Sequence, residues 1–231
     1  MSKTRLNLPL GRLVNKPTID IDLDLEVRHF QDILTSPKEA KNRVLMNIIA
    51  DLSDSNAWDI TKVDFKYLVT LLRERALGDD FSFSWIHNSC GAKNVSEVKL
   101  SEMSLKELRH DYSCKRISIK DHEFLIRPPK MPLELELESQ CASLDLSNPE
   151  NVRTIMLRRA CSFLVPLTPK YKTDSTEGID ELSEFVKTAP FSVYKDIVTE
   201  IYYLDSIGYD FTVKQKCSSC NSEEEIEIPF R

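Results

Sequence analysis

Two short patterns of metal-binding residues stand 130 positions apart in this sequence. The first knuckle has His87 and Cys90 separated by two residues, and the second knuckle has Cys217 and Cys220 with the same separation. Imidazole nitrogen and thiolate sulfur are ligands that Zn²⁺ prefers, and two ligands three residues apart on a tight turn can point at one ion. Because a structural zinc ion takes four tetrahedral ligands, the two knuckles together predict one Cys3His site.

The residues around the knuckles repeat without a gap at the same offset, so that residues 78–100 align with residues 208–230. Outside the metal ligands, the shared positions are glycine, aspartate and apolar residues: Gly78 and Gly208, Asp80 and Asp210, Phe81 and Phe211, Phe83 and Val213, Val98 and Ile228. Each copy follows a stretch with apolar residues at helical spacing. The pattern predicts two copies of one unit, built from a helix, a glycine, a strand, a knuckle and a second strand.

The residue after each second ligand supports the same interpretation. Gly91 and Asn221 stand there, and glycine and asparagine tolerate positive φ best. Four protein ligands leave no open position for water or substrate, so the site is predicted to be structural, with an apparent binding energy of about 10–16 kcal/mol. A reduced, metal-free remnant of such a site is the alternative.

The remaining cysteines and histidines predict no second centre. Cys114, Cys141 and Cys161 are isolated in spacing and are expected to be buried thiols. His110 and Cys114 could share a helix face, but nothing near them completes a metal site. No glycine-rich phosphate loop or nucleophile elbow is present, so no enzymatic activity is predicted. A hydrolase with a catalytic zinc is the weaker alternative.

Composition narrows the class of protein further. Of 231 residues, 41% are hydrophobic and 29% charged, as expected for a globular chain, and the net charge of −6 argues against a large nucleic-acid footprint. No stretch reaches the roughly 20 apolar residues of a membrane span, and the N-terminus does not read as a secretory signal. The six cysteines are therefore expected to be thiols or metal ligands in a reducing compartment.

The elements that must position the knuckles can be predicted from periodicity. Residues 19–26 and 133–138 alternate apolar and acidic residues, which predicts two strands whose acidic faces are either solvated or available for docking. Residues 36–39 read as a capping box for a helix to Leu52, and Thr61 starts a second helix that ends at Gly78. Residues 117–126 predict a hairpin, residues 166–175 a loop, and three more helices are predicted over 148–164, 179–187 and 191–207.

The predicted fold class is α+β, with helices packed on short antiparallel strands in a single domain, residues 1–231. Within it, residues 1–60 form an N-terminal strand and helix region, and residues 61–100 the first knuckle unit. Residues 101–188 form an insertion of strands and helices, and residues 189–231 the second knuckle unit.

A short N-terminal motif, a helix that runs into the first knuckle, and a second knuckle near the C-terminus follow one another along the chain: residues 8–11 (LPLG), then Asp64, Tyr67, Leu68, Leu71, Leu72, Arg73, Gly78, Phe81 and Gly91. In this arrangement the chain resembles the baseplate hub proteins of contractile-tailed bacteriophages of the T-even type. The resemblance places the metal ligands at His87, Cys90, Cys217 and Cys220. The family pattern has cysteine at the position of His87, and zinc also accepts imidazole nitrogen.

The resemblance implies a role as a hub subunit or a hub assembly factor. Such a protein binds other hub or tail proteins in the virion baseplate, after assembly in the host cytoplasm, and an oligomer within the hub is compatible with it. The alternative function is a zinc-ribbon module that binds nucleic acid or acts in transcription. The glutamates after the second knuckle, residues 223–225 and 227, disfavour that alternative.

Overall fold

The computed structural model describes residues 3–53, 57–168 and 170–228. The last two positions of the second repeat copy, Pro229 and Phe230, and Pro169 of the predicted loop lie outside these ranges. The helices of the described residues are α1 Val27–Thr35, α2 Lys41–Leu52, α3 Lys62–Leu77, α4 Met131–Cys141, α5 Pro149–Ser162, α6 Thr176–Val186 and α7 Phe191–Asp205. None of these helices is long and apolar enough to cross a membrane.

The strands are short, and every pairing among the described residues is antiparallel. They are β1 Thr4–Asn7, β2 Thr18–Ile21, β3 Asp80–Ile86, β4 Lys93–Lys99, β5 Leu105–Lys106, β6 Arg116–Ile119, β7 His122–Ile126, β8 Leu164–Pro166, β9 Gly208–Tyr209, β10 Thr212–Lys216 and β11 Glu223–Glu227. Four two-stranded sheets (β1–β2, β3–β4, β5–β9, β10–β11) and one three-stranded sheet, ordered β6–β7–β8, result. The predicted class of helices packed with short antiparallel strands is confirmed.

The predicted strand over residues 133–138 is wrong, because these residues form the centre of α4. Residues two apart on a helix lie about 200° from each other, so alternating leucines form two stripes on opposite sides. Leu133 and Leu137 pack into one apolar cluster with α5, α6 and α7, whereas Met131 and Leu135 pack into a second cluster with α2 and α3. Helix α4 lies between the two apolar clusters, and its leucines alternate in the sequence because both of its sides are buried.

The acidic residues of α4 confirm that helical geometry. Glu134 is 4% exposed and lies 3.3 Å from Arg159 and 3.9 Å from Lys62, while Glu136 is exposed. Glu138 is half-buried and lies 2.6 Å from Lys62. Alternation on a strand would have put all three carboxylates on one solvated face.

Two further predictions near the N-terminus need correction. The strand expected over residues 19–26 ends at Ile21, and the carboxylates of Asp20, Asp24 and Glu26 pair with arginines of the same chain. These three carboxylates therefore lie in surface ion pairs and not on one unpaired acidic strand face. The capping box expected at Ser36 is absent: the Ser36 hydroxyl donates to the Asp32 carbonyl at the end of α1, and a 3-10 turn precedes α2.

The helix starts at Thr61 and Asn148 are confirmed. Thr61 and Asp64 form a reciprocal capping box, and the Asn148 side chain accepts from the N–H of Glu150. The predicted hairpin over residues 117–126 is also confirmed, as β6 and β7. His110 and Cys114 lie outside the helices, so they share no helix face, and of the three isolated cysteines only Cys161 is fully buried.

Candidate metal centre

Each knuckle forms the turn of a hairpin, and the two turns have the same hydrogen bonds. In the first hairpin (β3 and β4), the N–H of His87 donates to the Ala92 carbonyl at 2.9 Å, and that of Gly91 to the His87 carbonyl at 2.8 Å. In the second hairpin (β10 and β11), the Cys217 N–H donates to the Ser222 carbonyl, and the Asn221 N–H donates to the Cys217 carbonyl, both at 2.9 Å. Positive φ was predicted for Gly91 and Asn221, and their values of 69° and 61° confirm it.

The strands of the two hairpins also pair in the same register. Phe83 faces Ser96 across the first hairpin, and Val213 faces Ile226 across the second, which are the same positions shifted by 130. Gly78 and Gly208 precede the hairpins with φ of 87° and 91°. The two hairpins and the glycines before them are therefore also equivalent in backbone conformation. The predicted helix ending at the glycine is confirmed only in the first unit, where Gly78 caps α3, because α7 ends at Asp205 and Gly208 belongs to β9.

Two features hold the hairpins side by side. Strand β5, which follows the first hairpin, pairs with β9, which precedes the second, and the N–H of Asp210 donates to the Ser104 carbonyl at 2.9 Å. A small apolar cluster fills the space between the hairpins; its buried members are Phe83, Trp85, Cys217 and Ile228. This placement brings the two turns face to face.

The four predicted ligand side chains converge at that point. One ligand atom from each of His87, Cys90, Cys217 and Cys220 lies within 4.8 Å of each of the others. The Nδ1 atom of His87 lies 3.0 Å from the Cys90 sulfur and 3.4 Å from the Cys220 sulfur, and the Cys90 and Cys217 sulfurs lie 3.6 Å apart. His87 and Cys217 are buried, whereas Cys90 and Cys220 are exposed.

Two of these three distances, the 3.4 Å between His87 and Cys220 and the 3.6 Å between the Cys90 and Cys217 sulfurs, are close to the edges of a tetrahedral zinc site, whereas the 3.0 Å between His87 and Cys90 is shorter than such an edge. Zinc–sulfur bonds of about 2.3 Å place two ligand sulfurs about 3.8 Å apart, and a nitrogen ligand shortens that edge to about 3.6 Å. All six cysteines are free thiols. The donor set of one imidazole and three sulfurs is that of structural zinc and leaves no coordination position for substrate. Zinc binding by these four residues stays a prediction.

Neighbouring groups contact the four candidate ligand side chains. The second ring nitrogen of His87, Nε2, lies 3.1 Å from the Ser222 hydroxyl and 3.6 Å from the Glu224 carboxylate, so Nδ1 is the nitrogen that faces the sulfurs. The Ser222 hydroxyl also lies 3.0 Å from the Cys220 sulfur. Hydrogen bonds from the backbone N–H groups of Cys220 and Ser219 lower the pKa of the Cys217 thiol to about 6, which favours the metal-binding thiolate.

Three residues that surround the ligands, Asn94, Ser222 and Glu224, were not predicted from the sequence. Asn94 and Glu224 do occupy equivalent positions in the repeat. Because one is an amide and the other a carboxylate, the residue types do not suggest a shared role. Only the repeat offset of 130 could have indicated that the two residues are equivalent.

Charges beside the second knuckle do not form a basic surface. Lys214 and Lys216 of β10 lie opposite Glu225 and Glu223 of β11, and the Lys214 ammonium is 3.7 Å from the Glu225 carboxylate. Each lysine thus has a glutamate across the hairpin, which reduces the attraction of this face for phosphate.

The fold and the site define a protein of mixed helices and strands, in which the turns of two equivalent hairpins bring one histidine and three cysteine side chains together at one point. A family model described as T4 bacteriophage base plate protein matches residues 25–229. The chain belongs to this family, which confirms the resemblance to baseplate proteins found in the sequence. Comparison with curated proteins and with solved structures gave no match.

Proposed function

We propose that this protein is a structural or assembly component of the baseplate hub, and that it acts by binding other hub or tail proteins without catalysing a reaction. Membership of the base plate family over residues 25–229 is the observation that carries the proposal. The family supports a place in the tail of the virion. The hub is a narrower assignment that rests on the sequence resemblance.

One structural zinc ion bound by His87, Cys90, Cys217 and Cys220 is part of the same proposal, in a zinc-ribbon-like arrangement of two knuckles. The convergence of the four ligand atoms within 4.8 Å supports it. Such an ion would join the middle of the chain to its C-terminal hairpin. Two hairpins that share a small apolar cluster would then form a rigid surface for partner proteins.

Elemental analysis of the purified protein tests the zinc site. One zinc per chain is expected for the wild type, with loss of the metal in the Cys90→Ser and Cys217→Ser variants. Cys141→Ser is the matched control, since Cys141 is a half-buried thiol in α4 and should leave the zinc content unchanged. A wild-type protein without zinc, purified in the absence of chelators, would contradict the site.

A phage that carries a nonsense codon in this gene tests the hub assignment. Tails made without the protein should stop at incomplete baseplates, and protein supplied in trans should restore them. Cross-linking and mass spectrometry of purified particles would identify its neighbours and separate a permanent subunit from an assembly factor. Normal particles made without the protein would end the hub proposal.

A further inference from the structure

Residues 94 and 224 occupy the same position in the two repeat units, and each reaches into the opposite hairpin. The Asn94 side-chain oxygen accepts the backbone N–H of Ser218 at 2.9 Å and its hydroxyl at 2.8 Å. The Glu224 carboxylate accepts the backbone N–H of Asn88 at 3.2 Å and also its side-chain amide. Since Asn88 and Ser218 are themselves equivalent in the repeat, the two contacts are related by the same internal symmetry.

Each of these side chains also faces the first ligand of the opposite knuckle. The side-chain nitrogen of Asn94 lies 3.7 Å from the Cys217 sulfur, and a carboxylate oxygen of Glu224 lies 3.6 Å from Nε2 of His87. The ligands at these equivalent positions differ, one being a thiol and the other an imidazole. The neighbour differs accordingly: an amide N–H is a donor to sulfur, whereas the Glu224 carboxylate places a negative charge beside the ring nitrogen that the Ser222 hydroxyl contacts at 3.1 Å.

We propose that Asn94 and Glu224 are positioning residues for the metal centre, each matched to the chemistry of the ligand that it faces. Glu224 and the Ser222 hydroxyl keep the His87 proton on Nε2, which leaves Nδ1 free to bind the metal. Asn94 supplies a hydrogen bond to the Cys217 thiolate. This inference rests on the proposed zinc site and extends it to the residues that orient its ligands.

The matching has a consequence for substitutions at residue 87. A His87→Cys change would put a thiolate next to the Glu224 carboxylate, and the two negative charges would repel each other. Adding Glu224→Asn would rebuild at this knuckle the pairing that Cys217 and Asn94 already have at the other. The effect of Glu224→Asn should therefore change sign with the residue at position 87.

A double-mutant cycle on the full chain tests this sign change, with zinc affinity measured by competition against a chromogenic chelator. In the wild-type background, Glu224→Asn should weaken zinc binding about 10- to 100-fold, the usual effect of losing such a partner. In the His87→Cys background, the same change should tighten binding at least several-fold. Glu225→Asn is the matched control, because Glu225 is exposed on the outer face of β11 and should leave affinity unchanged.

Circular dichroism of each zinc-loaded variant shows whether the fold is retained. Long-range proton–nitrogen NMR spectra of the zinc-loaded wild type give a second readout, since they distinguish a metal on Nδ1 of His87 from one on Nε2. Metal on Nε2, or equal effects of Glu224→Asn in both backgrounds, would overturn the inference while leaving the zinc site intact. A wild type that binds no zinc would overturn the proposed zinc site and this inference together.

Discussion

The Asp64 carboxylate accepts the backbone N–H of Leu10 at 2.7 Å, although the two residues are 54 positions apart. The same side chain accepts the N–H of Thr61 at 3.1 Å and its hydroxyl at 2.8 Å, as part of the capping box of α3. Asp64 is fully buried. One carboxylate thus both starts the helix that leads to the first knuckle and anchors the N-terminal segment to it.

Burial of Asp64 has a predicted effect on the pH dependence of stability. Burial raises the pKa of Asp64 from 3.8 to about 6, against the opposing effect of its hydrogen bonds. Between these two values the folded protein binds more protons at this group than the unfolded chain, so its contribution to stability falls as pH rises from about 4 to 6. The loss amounts to about 2–3 kcal/mol at neutral pH.

Urea unfolding of the wild type and of Asp64→Asn at several pH values measures this contribution. The amide does not titrate, so the free energy of unfolding of the variant relative to wild type should increase by about 2–3 kcal/mol from pH 4 to 7. Taking the difference removes the other titrating groups. A difference that is constant with pH would show that the folded-state pKa is not raised.

Substitutions of the acidic residues in α4 should have unequal costs. Glu134→Ala removes a buried partner of Arg159 and Lys62 and is expected to destabilise the fold by about 3 kcal/mol. Glu136→Ala removes an exposed side chain whose contact is the Thr176 hydroxyl, at a cost of about 1 kcal/mol or less. Chemical denaturation measures both, and equal costs would argue for the strand that the alternating pattern suggests.

Removal of the proposed zinc ion should lower the thermal stability of the protein, because the two knuckles would no longer be joined. With zinc at about 1,000 times its dissociation constant, the ion contributes about 4 kcal/mol, so a chelator should lower Tm by about 8–16 °C. The Cys217→Ser variant lacks one ligand, and its Tm should not respond to the chelator. Scanning calorimetry with and without chelator measures both; an equal response in the variant would mean that the metal binds elsewhere.

Substitutions in the two turns should show the same backbone preference. At Gly91 an added Cβ would meet no atom within 4 Å, so Gly91→Ala tests the cost of φ near 69° alone, about 1–2 kcal/mol. Gly91→Asn should cost less, because Asn221 already adopts a φ of 61° at the equivalent position. Unfolding of zinc-free samples measures these costs separately from metal affinity, and an Asn variant less stable than the Ala variant would contradict the equivalence of the turns.

Both knuckle hairpins were predictable because their determinants are local. In both units the turn is marked by two residues between the histidine or cysteine side chains, by a residue that tolerates positive φ after the second of them, and by alternating apolar residues on either side. In the structure the two hairpins also have equal registers at the offset of 130, as the pairs Phe83–Ser96 and Val213–Ile226 show. Thr61 with Asp64, and Asn148, likewise marked helix starts through bonds that span two or three residues.

Other features could not be predicted, because they depend on what lies on each side of an element. The leucines of residues 133–137 alternate in the sequence, but only packing between two cores makes that period compatible with a helix. Ser36 matched the pattern of a residue that caps the following helix, but its hydroxyl donates to the Asp32 carbonyl of the preceding helix α1.

The sequence by itself determined the hairpin units, the positions of their four histidine and cysteine side chains, and the family of the protein. Only the tertiary structure decided that Glu224 faces His87 and that Asn94 faces Cys217. Those pairings arise from the relative placement of two hairpins far apart in the chain, and the short-range preferences of the backbone do not encode that placement.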